Sequence, residues 1–206
     1  MSSNTRGTRC TFCLAIAAAI ASGLAVVDAI VVVRMFGTGA VRNSYSASSG
    51  SGPVAQGTWP EDESDLPLLT QTAEAAAAWP RFPQLKQSLG LSAIERLTGS
   101  EVGAIQLHVK SPEGNGLRHQ IACSIRIART ARVPLCINDH WRLAIELGAF
   151  GVHLGQKDLD AADVTAIEAV GLRLAVSTHC YEEVAQAHAL RPSYTAIGPI
   201  FETKSK

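Results

Sequence analysis

Residues 133–160 read VPLCINDHWRLAIELGAFGVHLGQKDLD, and the order of apolar and polar residues in this stretch decides the fold class. Short apolar runs at 135–137 and 151–154 predict two strands. Residues 141–148 lie between them and predict a short helix that ends at Gly148. A strand, a helix and a strand in such close succession are typical of parallel strands, so the stretch predicts an α/β fold.

The same alternation continues on both sides of this stretch. Further strands are predicted at 104–109, 172–176 and 194–197, and further helices at 117–132, 160–170 and 181–190. The polar residues that follow the strands are Lys110, Asn138, Asp139, Gln156, Asp158, Ser177, Thr178, His179, Thr203, Ser205 and Lys206. Ligands bind at the carboxyl ends of parallel strands, so these residues form a candidate site. A doubly wound sheet does not usually use five consecutive strand ends, and the pattern therefore favours a (β/α) barrel.

The composition favours a small-molecule partner over nucleic acid. Eighteen basic and eighteen acidic residues cancel, so the net charge implies no cationic surface for a polyanion. The length of 206 residues is close to the lower limit for a complete eight-stranded barrel. The five cysteines are odd in number and scattered, which argues against a disulfide framework and predicts reduced thiols in a cytoplasmic protein.

Residues 14–33 form an apolar run that resembles a signal peptide or a membrane span. Asp28 lies inside this run, and a carboxylate there costs roughly 2.5–3.5 kcal/mol on membrane insertion. The alternative is a helix from about Thr11, a break near Gly23 and a second helix with Asp28 at its start, where Asp is favourable. We favour this second interpretation and predict no membrane partner, and a membrane anchor stays as a competing hypothesis.

The front of the chain carries a Gly-Thr motif directly before an Ala-rich helix. Residues 4–11 (NTRGTRCT) resemble the N-T-H-G-T-G-C-T anion-hole motif of hydroxymethylpyrimidine phosphate kinases, which have a ribokinase-like fold. The resemblance places Gly7 and Cys10 at the anion hole, where backbone N–H groups at a helix start hold phosphate charge. Arg6 and Arg9 stand where the family has His and Gly, so we expect a C-terminal kinase remnant, not a working kinase. The alternative is a chance Gly-Thr before an Ala-rich helix.

The second half of the chain carries five motifs in order. Residues 106–110 (QLHVK), 138–139 (ND), 151–159 (GVHLGQKDL), 176–179 (VSTH) and 198–206 (GPIFETKSK) resemble those of thiamine phosphate synthases. The resemblance implies an incomplete TIM (β/α) barrel and a transferase that moves the hydroxymethylpyrimidine group from its diphosphate to thiazole phosphate. Residues 61–84 combine an acidic run with Pro80 and Pro83, which is typical of a linker. The predicted domains are the ribokinase-like remnant at 1–60, the linker at 61–84 and the synthase-like domain at 85–206.

The synthase resemblance also assigns roles to residues. It implies that Asp139 and Asp158 bind Mg²⁺, a cation that prefers hard oxygens and uses one or two carboxylates with substrate phosphate; helix capping is the alternative for each. It implies Ser177 and Lys206 as catalytic residues. The substrate-binding positions that it implies are Gln106, His108, Lys110, Asn138, Ser177, Thr203, Ser205 and Lys206. We predict that His153, in a buried strand, is a core histidine and not a general base.

Three departures from the family pattern bear on activity. His108 replaces an Arg of the family, the first strand is predicted to be largely missing near residue 89, and the chain ends at Lys206 after the sixth strand, before a seventh and an eighth. We therefore expect little synthase activity from this polypeptide by itself. The competing hypothesis is a truncated, non-catalytic fragment of a bifunctional kinase and synthase that only binds ligand.

Overall fold

A computed structural model of the chain describes residues 7–46, 52–69, 78–80, 87–89, 103–109 and 115–199. It contains two compact units. The first consists of Met1–Ala75 and Cys180–Ala189, and the second of Ala76–His179 and Leu190–Lys206. The predicted boundaries at residues 60 and 84 remain predictions, because this division by compactness does not test them.

The first unit begins with two helices, α1 (Thr8–Ala21) and α2 (Val26–Arg42). The chain turns between them at Gly23, whose φ of +96° favours glycine, and Asp28 lies in the first turn of α2. The break and the position of Asp28 are thus as the sequence predicts. Within the described ranges no helix has both the length and the apolar character that crossing a membrane requires.

The two helices approach closely where side chains are small. Ala19, Ala29 and Val33 form a buried cluster against which Phe12 packs. Gly37 leaves room for the Phe12 ring, because a Cβ atom at Gly37 would lie 2.0 Å from Phe12 Cζ. The Ala-rich composition of α1 therefore allows close packing between the helices.

A salt bridge network closes the end of α2. Arg42 Nη1 donates to Asp62 Oδ2 at 3.0 Å, and Arg42 also pairs with Asp65, which is buried. Asp65 ends a short 3₁₀ turn, Glu63–Asp65. Part of the predicted linker is thus fixed to α2.

The second unit contains a parallel sheet with its strands in chain order. The described strands are β1 (Gln87–Leu89), β2 (Ile105–Leu107), β3 (Leu135–Asn138), β4 (Gly151–Leu154), β5 (Arg173–Thr178) and β6 (Tyr194–Ile197). Every neighbouring pair is parallel. Sequential parallel strands are the arrangement of a (β/α) half-barrel, so the predicted α/β class is confirmed. The first strand, predicted to be largely missing, is present as the short β1.

Helices alternate with these strands along the chain. They are α3 (Asn115–Thr130), α4 (Trp141–Glu146), α5 (Gln156–Asp160), α6 (Val164–Ala169) and α7 (Tyr181–Leu190). The helix predicted over 160–170 is present but shorter, as α6, because Asp163 Oδ1 accepts a hydrogen bond from Ala166 N and starts the helix at Val164. The short helix α5, which ends at Asp160, was not predicted.

The core of the second unit lies on the strands. Ile105, Leu107, Ile137, Leu154 and Leu174 are at most 1% exposed. Such apolar runs are typical of parallel strands that are covered on both faces. The polar residues at the strand ends are therefore held by a rigid apolar layer.

Candidate active site

A chain of hydrogen-bonded side chains crosses from β2 to the loop after β3. Gln106 Nε2 donates to Asn138 Oδ1 at 2.6 Å, and Asn138 Nδ2 donates to Asp139 Oδ2 at 2.5 Å. Asp139 N donates to the His153 carbonyl of β4 at 2.9 Å. The amide of Asn138 is thus fixed on both sides, and the loop carrying Asp139 is tied to the neighbouring strand.

Asp139 and Asp158 line one small cavity of about 220 Å³. Asp139 follows β3, whereas Asp158 lies within α5, after β4. Burial raises the pKa of the Asp139 carboxyl, and the negative charge of Asp158 raises it further, whereas the charge of His108 acts in the opposite direction. The mutual repulsion of the two carboxylates marks a place where a cation is favourable.

Helix capping, the alternative explanation for these two acids, does not fit the geometry. The N-cap of α4 is His140 and that of α5 is Gly155, and at neither helix does a side chain form the capping hydrogen bond. Across the described residues, no three His, Cys, Asp or Glu side chains are grouped to hold a metal ion. Mg²⁺ needs only one or two carboxylates when a substrate phosphate completes its shell, so the pair fits this cation.

A second hydrogen-bonded group lies on β4, β5 and β6. His153 Nδ1 is 2.7 Å from Tyr194 Oη, and His153 Nε2 is 2.6 Å from Ser177 Oγ. Gln156 Nε2 donates to the Ser177 carbonyl at 2.6 Å. His153 is 5% exposed, and burial lowers its pKa to about 4. The predicted core histidine is confirmed as buried and hydrogen-bonded.

Sequence reasoning missed the link between His153 and Ser177, and it missed Tyr194 altogether. The signal was present in the strand register, because His153 lies opposite Ala175, Ala175 lies opposite Tyr194, and alternate residues of a strand share a face. Ser177, two residues after Ala175, therefore shares a face with its neighbours His153 and Tyr194. The spacing of apolar residues in the sequence predicts where the strands lie but not how β4, β5 and β6 are aligned with one another.

The other predicted site residues divide into three groups. His108 is exposed just after β2, and its charge acts on both Asp139 and His153. Gly7 and Cys10 belong to the first unit, where Gly7, with a φ of +85°, precedes α1 and Cys10 is exposed in its first turn. The predicted residues that lie outside the described ranges are Lys110, Thr203, Ser205 and Lys206.

Comparison with known proteins gives consistent matches. Residues 83–206 match the family model for thiamine monophosphate synthase. The thiamine-phosphate synthase of Yersinia pestis (strain Pestoides F) is 45% identical over 136 residues, which are 63% of this chain and 63% of that protein. The one from Neisseria gonorrhoeae (strain ATCC 700825 / FA 1090) is 44% identical over 132 residues, 61% of this chain and 64% of that protein.

A solved structure supports the fold. The thiamine phosphate pyrophosphorylase from Pyrococcus furiosus superposes with a TM-score of 0.51 at 21% identity, covering 59% of this chain and 63% of the other. The chain thus spans a little under two thirds of the length of the relatives that it matches.

Proposed function

The chain belongs to the thiamine monophosphate synthase family, and from this premise we propose that it is a transferase of thiamine biosynthesis. The proposed reaction moves the hydroxymethylpyrimidine group from its diphosphate to thiazole phosphate, giving thiamine phosphate and diphosphate. The observation that carries the proposal is the pair Asp139 and Asp158, which line one cavity at the carboxyl edge of the sheet.

Magnesium is the proposed cofactor. Asp139, after β3, and Asp158, in α5 after β4, are hard oxygen donors that repel each other, and neither is the N-cap residue of a helix. When bound, Mg²⁺ would neutralise charge on the diphosphate leaving group.

The remaining residues of the site support binding and orientation of the pyrimidine diphosphate. The Asn138 amide is held between Gln106 and Asp139, so it offers a fixed orientation to a ligand. Gln156 holds the backbone at Ser177, whose hydroxyl lies beside His153. Fixing polar groups before the substrate arrives lowers the cost of reaching the transition state.

The roles of Lys110, Lys206, Thr203 and Ser205 rest on the motif resemblance. We propose that the two lysines contact the diphosphate as point charges and that Thr203 and Ser205 hold the thiazole phosphate. Together with Ser177, Lys206 is the proposed catalytic residue.

We also propose that residues 1–60 are the C-terminal remnant of a ribokinase-like pyrimidine phosphate kinase, and that the protein is cytoplasmic. The support for the remnant is the motif at 4–11 and the position of Gly7 directly before α1, at a helix start of the kind that favours phosphate charge.

The test is an assay of the full chain for thiamine phosphate formation, with Mg²⁺ and both substrates, by chromatography. Two variants, Asp139→Asn and Asp158→Asn, each remove one carboxylate. Asn is suitable at position 139 because it tolerates the φ of +62° there. Each should lower turnover roughly 100-fold or more, because metal stabilisation of transition-state charge amounts to several kcal/mol. Asp163→Asn, at the N-cap of α6, is the matched control and should leave turnover unchanged.

Calorimetric titration with inorganic diphosphate distinguishes an active transferase from the competing hypothesis of a non-catalytic fragment. Mg²⁺-dependent binding without any product would favour a fragment that only binds ligand. Absence of both binding and turnover would refute the proposed function.

A further inference from the structure

Three polar side chains from three neighbouring strands are linked by hydrogen bonds. His153 of β4 lies between Ser177 of β5 and Tyr194 of β6, at 2.6 Å and 2.7 Å. The rings of His153 and Tyr194 also pack together, with centroids 5.5 Å apart. Only Ser177 belongs to the proposed catalytic set, so the other two residues have no role in the proposed reaction.

The hydrogen-bonding capacity of the imidazole limits what this group can do. A buried imidazole between two hydroxyl groups is neutral, because a second proton would place an unpaired charge in the interior. A neutral imidazole has one N–H donor and one acceptor nitrogen. Its two neighbours therefore have opposite roles: one hydroxyl donates to the ring and the other accepts from it.

The chemistry of the two hydroxyls decides between the two arrangements. A phenol is more acidic than an alcohol, so Tyr194 is the better donor and Ser177 the better acceptor. With Tyr194 donating to Nδ1, the proton of His153 is on Nε2 and points to Ser177 Oγ. The Ser177 proton then cannot point to the ring and is directed elsewhere.

We propose that Tyr194 is a positioning residue that acts through His153, selecting the Nε2–H tautomer and so making Ser177 a hydrogen-bond donor toward the pyrimidine diphosphate. This inference rests on the proposed function for its consequence in catalysis. The Gln156 bond to the Ser177 carbonyl fixes the backbone at the same residue, so Ser177 is held at two points. Tyr194 itself is half-buried and does not need to touch the substrate.

The first experiment reads the tautomer directly. Nitrogen-15 NMR of the histidine-labelled full chain, with His153 assigned by loss of its signals in His153→Gln, should show protonated Nε2 and unprotonated Nδ1. Tyr194→Phe should shift the tautomer ratio at His153. Tyr45→Phe, at a position that is 61% exposed, is the matched control and should leave it unchanged. A protonated Nδ1 in the unsubstituted protein would overturn the proposal.

The second experiment reads the coupling to Ser177. Tyr194→Phe should lower kcat/KM about 3- to 10-fold, the equivalent of one net hydrogen bond. In a Ser177→Ala background the same substitution should have less than about a 2-fold effect, because the group that it orients is gone. Equal effects in both backgrounds would show that Tyr194 does not act through Ser177.

The two experiments separate failure of this proposal from failure of the proposed function. Absence of both turnover and Mg²⁺-dependent diphosphate binding in the unsubstituted chain would refute the function, and the tautomer measurement would still decide the hydrogen-bond order. Turnover with the wrong tautomer would refute only the positioning role.

Discussion

At Asp139 the backbone has a φ of +62°, a conformation that Asp and Asn adopt more readily than other residues with a side chain. Asp139 lines the same cavity as Asp158. The raised pKa of Asp139 means that the folded protein resists the charged form. Keeping the Asp139 carboxylate charged beside Asp158 therefore costs free energy in the folded protein, and a bound cation would remove this cost. Such a trade of stability for function is usual at functional sites.

A second titratable residue, His153, makes stability depend on pH in the acidic range. Its pKa is lowered by burial from 6.5 to about 4, so below pH 6.5 the unfolded chain takes up a proton that the folded chain does not. The free energy of unfolding should therefore fall as the pH drops from 6.5 toward 4, by about 3 kcal/mol in total. Urea unfolding at a series of pH values measures this slope.

His153→Gln should abolish most of that slope, whatever its effect on stability at pH 7. His119→Gln, on the exposed part of α3, is the control and should keep the slope. Equal slopes in the unsubstituted protein and in His153→Gln would mean that other groups cause the acid sensitivity.

At the scale of elements, strands with clear apolar runs and the short helix α4 were predictable, whereas the short helix α5 was not. The runs at 135–137 and 151–154 lie within β3 and β4, because burial on both faces requires apolar side chains there. The helix α5 was not predictable from periodicity, since Leu159 is its one buried apolar residue. In the site, sequence order could place polar residues after strands, but contacts such as His153 with Tyr194 depend on strand register.

The helix α7 is capped at its N-terminus by Asp28, a residue that is distant in sequence. Its carboxylate Oδ1 accepts a hydrogen bond from Glu182 N at 2.9 Å, in the first turn of α7. Both residues belong to the first unit. The carboxylate that counted against a membrane span therefore supplies an N-terminal hydrogen bond to another helix.

We expect Asp28→Ala to lower the free energy of unfolding by about 1 kcal/mol, the usual cost of a lost helix cap. Asp28→Asn retains an acceptor oxygen and should lose less than half of that amount. Chemical unfolding followed by circular dichroism measures both. Asp163→Ala removes the N-cap of α6, where the capping residue directly precedes its helix. It should lower the free energy of unfolding by a similar amount, and so provides a reference value for the loss of one helix cap. A loss in Asp28→Asn as large as in Asp28→Ala would contradict the capping role.

At the scale of the whole molecule, the chain path links the two compact units. It leaves the second unit after His179, passes through residues 180–189 in the first unit and returns at Leu190. This excursion is the crossover between β5 and β6, which pair directly as parallel strands. Parallel neighbours require such a crossover, so the β5–β6 pair depends on a segment that belongs to the other unit.

We therefore predict that the two units unfold in one cooperative transition. Hydrogen exchange at increasing urea, followed peptide by peptide with mass spectrometry, should show α2 and β4 losing protection at the same urea concentration. Asp28→Ala lies in the first unit, yet it should lower the midpoint for β4 as much as for α2, because Asp28 caps α7 and α7 forms the crossover between β5 and β6. Loss of protection in α2 at a lower urea concentration than in β4 would show that the sheet survives without the first unit, and the crossover argument would then fail.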